Sequence, residues 1–134
     1  MTFYGTWPDA EDVACDLAET IPELGPGKGF NELPTDPDEL RALLPLAWCY
    51  KTGGACDDVT DRPIISFNVI AETRSEANRI VTKLRDAIIA ARGTKVNGIL
   101  IDSTEEKNGT KFQPPPRLKQ PMATIVHQLS FRRQ

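Results

Sequence analysis

The chain has 134 residues, 40% of them hydrophobic and 26% charged, with a net charge of −3 and a pI near 5.2. That length fits one domain, 1–134, and a domain of this size buries roughly two-thirds of the surface its unfolded chain exposes, enough for a core without metals or disulfides. No basic excess marks a nucleic-acid footprint, and with no run of 18 apolar residues no membrane-spanning helix is expected.

Met1-Thr2-Phe3-Tyr4 shows no charged region leading into an apolar stretch, so no signal peptide is expected. Cys15, Cys49 and Cys56 are odd in number and unpatterned in spacing, which argues against a disulfide framework and for free thiols in a reducing compartment. Cys15 and Cys49 lie in apolar stretches and read as small core residues.

The first helix is predicted from Trp7-Pro8-Asp9, with Asp9, Glu11 and Asp12 complementing the positive end of its dipole. Ala10, Val13, Ala14, Leu17 and Ile21 recur at helical spacing, and Pro22 stops the helix. Residues 22–36, rich in Gly and Pro, read as a long loop. Asp36 as cap and Pro37 in the first position start a helix of two turns at most, which Pro45 ends.

Leu46 to Lys51 is a strand candidate, broken by Thr52-Gly53-Gly54-Ala55. Ile64 to Glu72 is the clearest strand. Ile65, Phe67, Val69 and Ala71 alternate with Ser66, Asn68, Ile70 and Glu72, which predicts one buried and one mixed face. Thr73-Arg74-Ser75-Glu76 has the form of a capping box, and a helix runs from it to Arg92, with Gly93 as its stop. Ala77, Ile80, Val81, Leu84, Ala87, Ile88 and Ala91 form its apolar stripe. Asn97-Gly98 signals a turn, Ile99 to Ser103 a strand, and Asn108-Gly109 a hairpin tip. Pro114-Pro115-Pro116 is a short extended rod, and Ala123 to Arg132 alternates as the last strand. The expected architecture is α+β and two-layered: an about four-stranded, mostly antiparallel sheet covered on one face by two main helices.

No constellation carries catalytic chemistry. His127, the only histidine, shares a strand face with Ile125, Leu129 and Phe131 and reads as a half-buried strand residue without a partner nearby in sequence. Asp57-Asp58-Val59-Thr60-Asp61 spells a DDxxD, which in prenyl-transferring enzymes holds magnesium from a large helical cup. Here it lies in a Gly-rich loop of a short chain, and the default is a solvated acidic turn, with a magnesium-dependent enzyme the competing reading. Gly25-Pro26-Gly27-Lys28-Gly29 lacks the spacing of a phosphate loop. No catalytic, metal or cofactor residue is expected.

The segment 104–121 is more informative. It carries Lys107, Lys111, Arg117 and Lys119 beside Phe112 and a proline cluster. Structureless stretches of this length are functional or disordered, so it is either disordered or an arm that orders against a neighbouring subunit. Phe3, Tyr4 and Trp7 are either interface anchors, as aromatics often are, or tucked against the first helix. These eight residues are the candidate subunit or partner interface.

The order of elements, and the passage Pro63-Ile64-Ile65-Ser66-Phe67-Asn68-Val69-Ile70-Ala71-Glu72-Thr73-Arg74-Ser75-Glu76-Ala77 in particular, resemble the tail terminator proteins of long-tailed bacteriophages, also called tail completion or minor tail proteins of the lambda gpU type. The resemblance spans nearly the whole chain and rests on layout and one strand–turn–helix passage. It implies a non-enzymatic virion protein assembled in the host cytoplasm. Its partners would be further copies of itself in a hexameric ring, the major tail tube protein and the head-completion or connector proteins. The ring would cap the head-proximal end of the tail tube, stop its polymerisation and present the head–tail joining surface, with DNA passing through the lumen without sequence-specific binding. The alternative is a ferredoxin-like, small-molecule-binding regulatory domain acting as a dimer.

Overall fold

A computed structural model describes residues 5–134. In chain order the elements are α1 (Ala10–Ala18), β1 (Gly29–Phe30), α2 (Pro37–Ala42), β2 (Leu46–Cys56), β3 (Thr60–Ile70), α3 (Arg74–Ala90), β4 (Lys95–Val96), β5 (Ile99–Leu100), β6 (Ser103–Gln113) and β7 (Met122–Arg132).

Local chemistry sets the helix starts. The Asp9 carboxylate accepts from the N–H groups of Glu11 (3.0 Å) and Asp12 (3.2 Å), so Asp9 is the cap of α1 and Pro8 lies outside the helix. Asp36 caps α2 through the Asp38 N–H (3.0 Å), with Pro37 in the first turn. Thr73 caps α3 by accepting from the Glu76 N–H (3.1 Å). The Glu76 carboxylate reaches back to the N–H of Glu72 (3.3 Å), one residue before the cap itself. Two helix ends come earlier than periodicity predicts. α1 closes at Ala18, and Ile21 and Leu24 continue the buried line from a following turn; α3 closes at Ala90, before Arg92.

The fold is α+β, but the sheet has five strands and is mixed. Its order is β1-β2-β3-β7-β6, antiparallel throughout except for the parallel β1–β2 pair. The expectation of four strands missed β1, which sits inside the Gly/Pro segment 22–36. Two residues carry no periodicity, and Gly29–Phe30 become a strand because β2 lies beside them.

α1 and α3 lie on one sheet face and close the main core with Cys49, Ile65, Phe67, Val69, Ile125, Leu129 and Phe131. The stripe Ala77, Ile80, Val81, Leu84, Ile88 and Ala91 is buried there as its spacing predicts. The opposite face is not left open along its length. At one end Leu33, Leu40 and Leu118 close over Leu46, Ile70 and Met122, which are neighbours in one row across three strands. Next along that face Ser66, Asn68 and Thr124 are buried polar residues. Asn68 donates to the Trp48 carbonyl (2.9 Å), Thr124 donates to Asn68 Oδ1 (2.7 Å), and Gln113 donates to Thr124 (2.9 Å). The alternation in β3 thus marks an apolar and a polar face that are both buried.

Three further expectations are corrected. Thr52-Gly53-Gly54-Ala55 does not break its strand. β2 passes through it with a register shift between Lys51 and Gly53, and Gly54, at φ +112, lies so close to β3 that a Cβ there would collide with the Arg62 carbonyl. The Ile99–Ser103 strand divides: Ile99–Leu100 close a two-residue hairpin on β4 through Asn97 (φ +48) and Gly98 (φ +83), as a type I′ turn requires, while Ser103 begins β6. Finally, Asn108-Gly109 is not a hairpin tip. It lies within β6, where shifts on either side of Asn108 absorb the extra residues against β7. The loop expected over 104–121 shrinks to 114–121.

Candidate functional site

Several residues with potential chemistry are engaged in holding the fold. In the β2–β3 turn, Asp57 Oδ1 accepts from the N–H groups of Val59 and Thr60 (both 2.8 Å), and Asp57 Oδ2 meets Arg62 at 3.1 Å. The backbone donors of Thr60 and Val59, and then Arg62, hold the Asp57 carboxyl down at about 2. The DDxxD is therefore a turn whose first aspartate organises its own backbone. In the Gly/Pro loop the Lys28 ammonium donates to the Leu43 carbonyl (2.7 Å), and the Gly29 N–H donates to Glu19 (3.1 Å). Among the described residues no group of three or more His, Cys, Asp or Glu is arranged to hold a metal ion.

His127 is fully buried, not half-buried, because β6 and α3 close over it. Among the described residues neither ring nitrogen has a hydrogen-bond partner. Its Nε2 lies 3.7 Å from Glu106 Oε1, a carboxylate already clasped by Arg85 at 2.6 Å. Burial lowers the imidazole pKa, Arg85 adds to that, and Glu106 opposes it. The ring is neutral at pH 7, and 3.7 Å is too long for a hydrogen bond. Cys15 and Cys49 are buried as expected; the neighbouring Cys15 and then burial hold the Cys49 thiol well above its ordinary value, which keeps it protonated. Cys56 is exposed at the end of β2, and its thiol is also raised, by partial desolvation and by Asp61 and Asp57.

Of the eight candidate interface residues, Phe3 and Tyr4 lie outside the described residues. Five come together on one edge of the sheet. Lys107 and Lys111 are exposed on β6, which among the described residues has β7 on one side and no strand on the other. Phe112 is half-buried against the core beneath the Arg74 guanidinium, 3.7 Å from its ring centre. Arg117 and Lys119 are exposed in the turn that follows, Arg117 at φ +64. Arg74 and Lys119 flank an open cleft of about 500 Å³ with Phe112, Pro115, Leu118 and Met122. From Lys107 to Lys119 the chain has four basic residues and no acidic one.

Trp7 is elsewhere. It lies half-buried beneath the Arg133 guanidinium (4.6 Å), in a segment tied to the C-terminus by the reciprocal bonds Thr6 N–H to Gln134 O (3.0 Å) and Gln134 N–H to Thr6 O (2.9 Å). With Glu11 it borders the outer side of β2. α1 next to it is strongly acidic: Asp9, Glu11, Asp12, Asp16 and Glu19 make five acids in eleven residues with no base among them. Asp9, Asp12, Asp16 and Glu19 line an open cleft of about 610 Å³ over Phe30 and Ile99. Among the described residues no cation comes within 4.0 Å of these five carboxylates. In the sequence Asp9, Glu11 and Asp12 read only as dipole partners of one helix, and Asp16 and Glu19 do not stand out.

α1 packs on β1 and β2 while β6 closes the other edge, so the acidic and basic surfaces lie on opposite edges of one sheet. Four inter-strand steps separate β1 from β6, roughly 19 Å across the sheet. The chain matches no protein-family model, and no curated protein is significantly similar to it.

Proposed function

We propose that this chain is a structural, non-enzymatic tail terminator: a ring protein that caps the head-proximal end of a phage tail tube, stops its growth and offers the surface to which the head-completion proteins join. The observation that carries the reading is the pair of chemically opposite surfaces on opposite edges of the sheet. A closed ring is built from heterologous contacts, in which each subunit presents two different patches that meet head to tail. The layout of the chain and its Pro63–Ala77 passage, which resemble the tail terminators, support the same reading. So does the engagement of Asp57, Lys28 and Glu106 in intramolecular contacts, which takes the most reactive-looking groups out of play.

In this reading six copies form the ring, DNA passes through its lumen without sequence-specific contact, and the tail tube protein and the head connector bind its two rims. The test is native mass spectrometry over a concentration series, with negative-stain imaging of the protein mixed with polymerised tail tubes. The expected result is a species of six times 14.8 kDa, or rings seated on tube ends. A monomer at every concentration, together with tubes that keep elongating in its presence, would remove the proposal. The dimeric, ligand-binding reading is weaker, because the element order departs from the β-α-β-β-α-β pattern of ferredoxin-like domains.

A further inference from the structure

We infer that the β6 edge and the turn after it form one half of a self-association contact, and that the other half is the acidic face of α1 on a second copy of the chain. The inference rests on the assembly reading above and gives it a specific interface. β6 is eleven residues long and, among the described residues, pairs on one side only. In an antiparallel ladder alternate residues aim their backbone groups away from the partner strand, so its outer side offers unpaired donors and acceptors. Such edges recruit further chains unless something covers them.

Charge selects what covers this one. The two acids on β6 are neutralised within the chain, Glu106 by Arg85 (2.6 Å) and Glu105 by Lys107 (3.4 Å). Lys111 and Lys119 have no acidic partner within 4.0 Å among the described residues. The complementary surface exists on the same chain but away from the β6 edge, where Asp12 is exposed on α1 and the half-buried Asp16 accepts from the Asn97 amide (3.2 Å), neither with a cation within 4.0 Å among the described residues. A single copy cannot bring the two together, because the sheet holds them apart. A second copy can, and the contact then repeats head to tail. Both surfaces also have an apolar floor, Phe112 and Leu118 on the basic side and Phe30 and Ile99 on the acidic side. That combination of apolar floor and charged rim is the anatomy of a specific interface. Rim charges govern encounter and partner choice, so association falls as salt rises.

The experiment uses two charge-reversed variants of the full chain, Lys111→Glu/Lys119→Glu and Asp12→Lys/Asp16→Lys, in sedimentation velocity at low and physiological salt. Circular dichroism checks that each is folded. Asp9 and Glu19 are left in place because they cap α1 and hold the Gly29 N–H. Each variant alone sets like charges against like and is expected to associate about tenfold more weakly than wild type or worse. An equimolar mixture is expected to recover assembly, because alternating copies restore opposite charges at every contact. The neutral variant Lys111→Gln/Lys119→Gln is expected to lose the salt dependence, and it answers the question if a reversed variant does not fold. If wild type assembles while the reversed variants assemble equally well, or the mixture of folded variants does not recover, this contact is wrong and the ring reading stands. If wild type never assembles and does not cap tubes, both fall.

Discussion

The β3–α3 unit and the β6 edge divide the work of the molecule between them. β3 has a strand on each side, and both of its faces are buried from Ile65 to Ile70. α3 lays a full apolar stripe on it. On β6, residues 105–111 are all exposed, one side of the strand is unpaired among the described residues, and the strand reaches buried surroundings at its ends, through Thr104, Phe112 and Gln113. A segment that satisfies itself contributes stability and has nothing left to offer a partner. β6 is held by β7 and, near its ends and at Glu106, by Arg74 and Arg85 of α3 and Arg92 just after it, which leaves its outer backbone and Lys111 exposed.

Measurements can break that contrast, beginning where the effect is largest. Leu84 and Ile88 are fully buried beneath α3, and Leu84→Ala or Ile88→Ala is expected to cost about 2–5 kcal/mol in urea unfolding. A loss below about 1 kcal/mol would mean that the helix is not the keystone of this core. Acid comes next. His127 has a folded pKa below the roughly 6.5 of an unfolded histidine. The unfolded chain therefore takes up its proton first, so its contribution is intact above about pH 6.5 and stability declines as pH falls below that value. His127→Leu is expected to abolish that part of the decline between pH 7 and 5, and an unchanged acid limb in the variant would refute the assignment. Removing the α3 cap with Thr73→Ala is expected to cost about 1 kcal/mol. At the small end, Lys111→Ala and Lys119→Ala are expected to change stability by no more than about 0.5 kcal/mol. A larger loss from either would show that the edge supports the fold rather than a partner.

The signals that read correctly are local. Thr73 and Asp36 are caps because a short side chain before a helical run satisfies orphan N–H groups wherever the chain goes next. The stripe from Ala77 to Ala91 reports its own buried face, and Asn97-Gly98 reports its own turn. Apart from the limits of α1 and α3, the misreadings concern residues whose state depends on a remote neighbour. Ser103–Gln113 has no apolar alternation and contains Asn-Gly, which read as a tip. It is extended because β7 supplies its hydrogen bonds and two shifts of register accommodate the surplus residues.

The candidate surfaces divide in the same way. Lys107, Lys111, Phe112, Arg117 and Lys119 were legible as one basic, proline-rich stretch, and they remain together on one edge. Trp7 was grouped with them only as an aromatic, and the fold carries it to the other side of the sheet. The acids of α1 were equally visible, but their relation to the basic stretch was not.

The amino-acid order by itself determined where α2 and α3 begin, which helix face is buried, the central strand, and the basic stretch of residues 107–119. Only the tertiary structure decided the five-strand order, the burial of His127 and of the Asn68–Thr124 network, and the placement of the two charged stretches on opposite edges. The first set follows from interactions within a few residues. The second follows from which strands become neighbours, and that is settled by burial of the whole core rather than by any one segment.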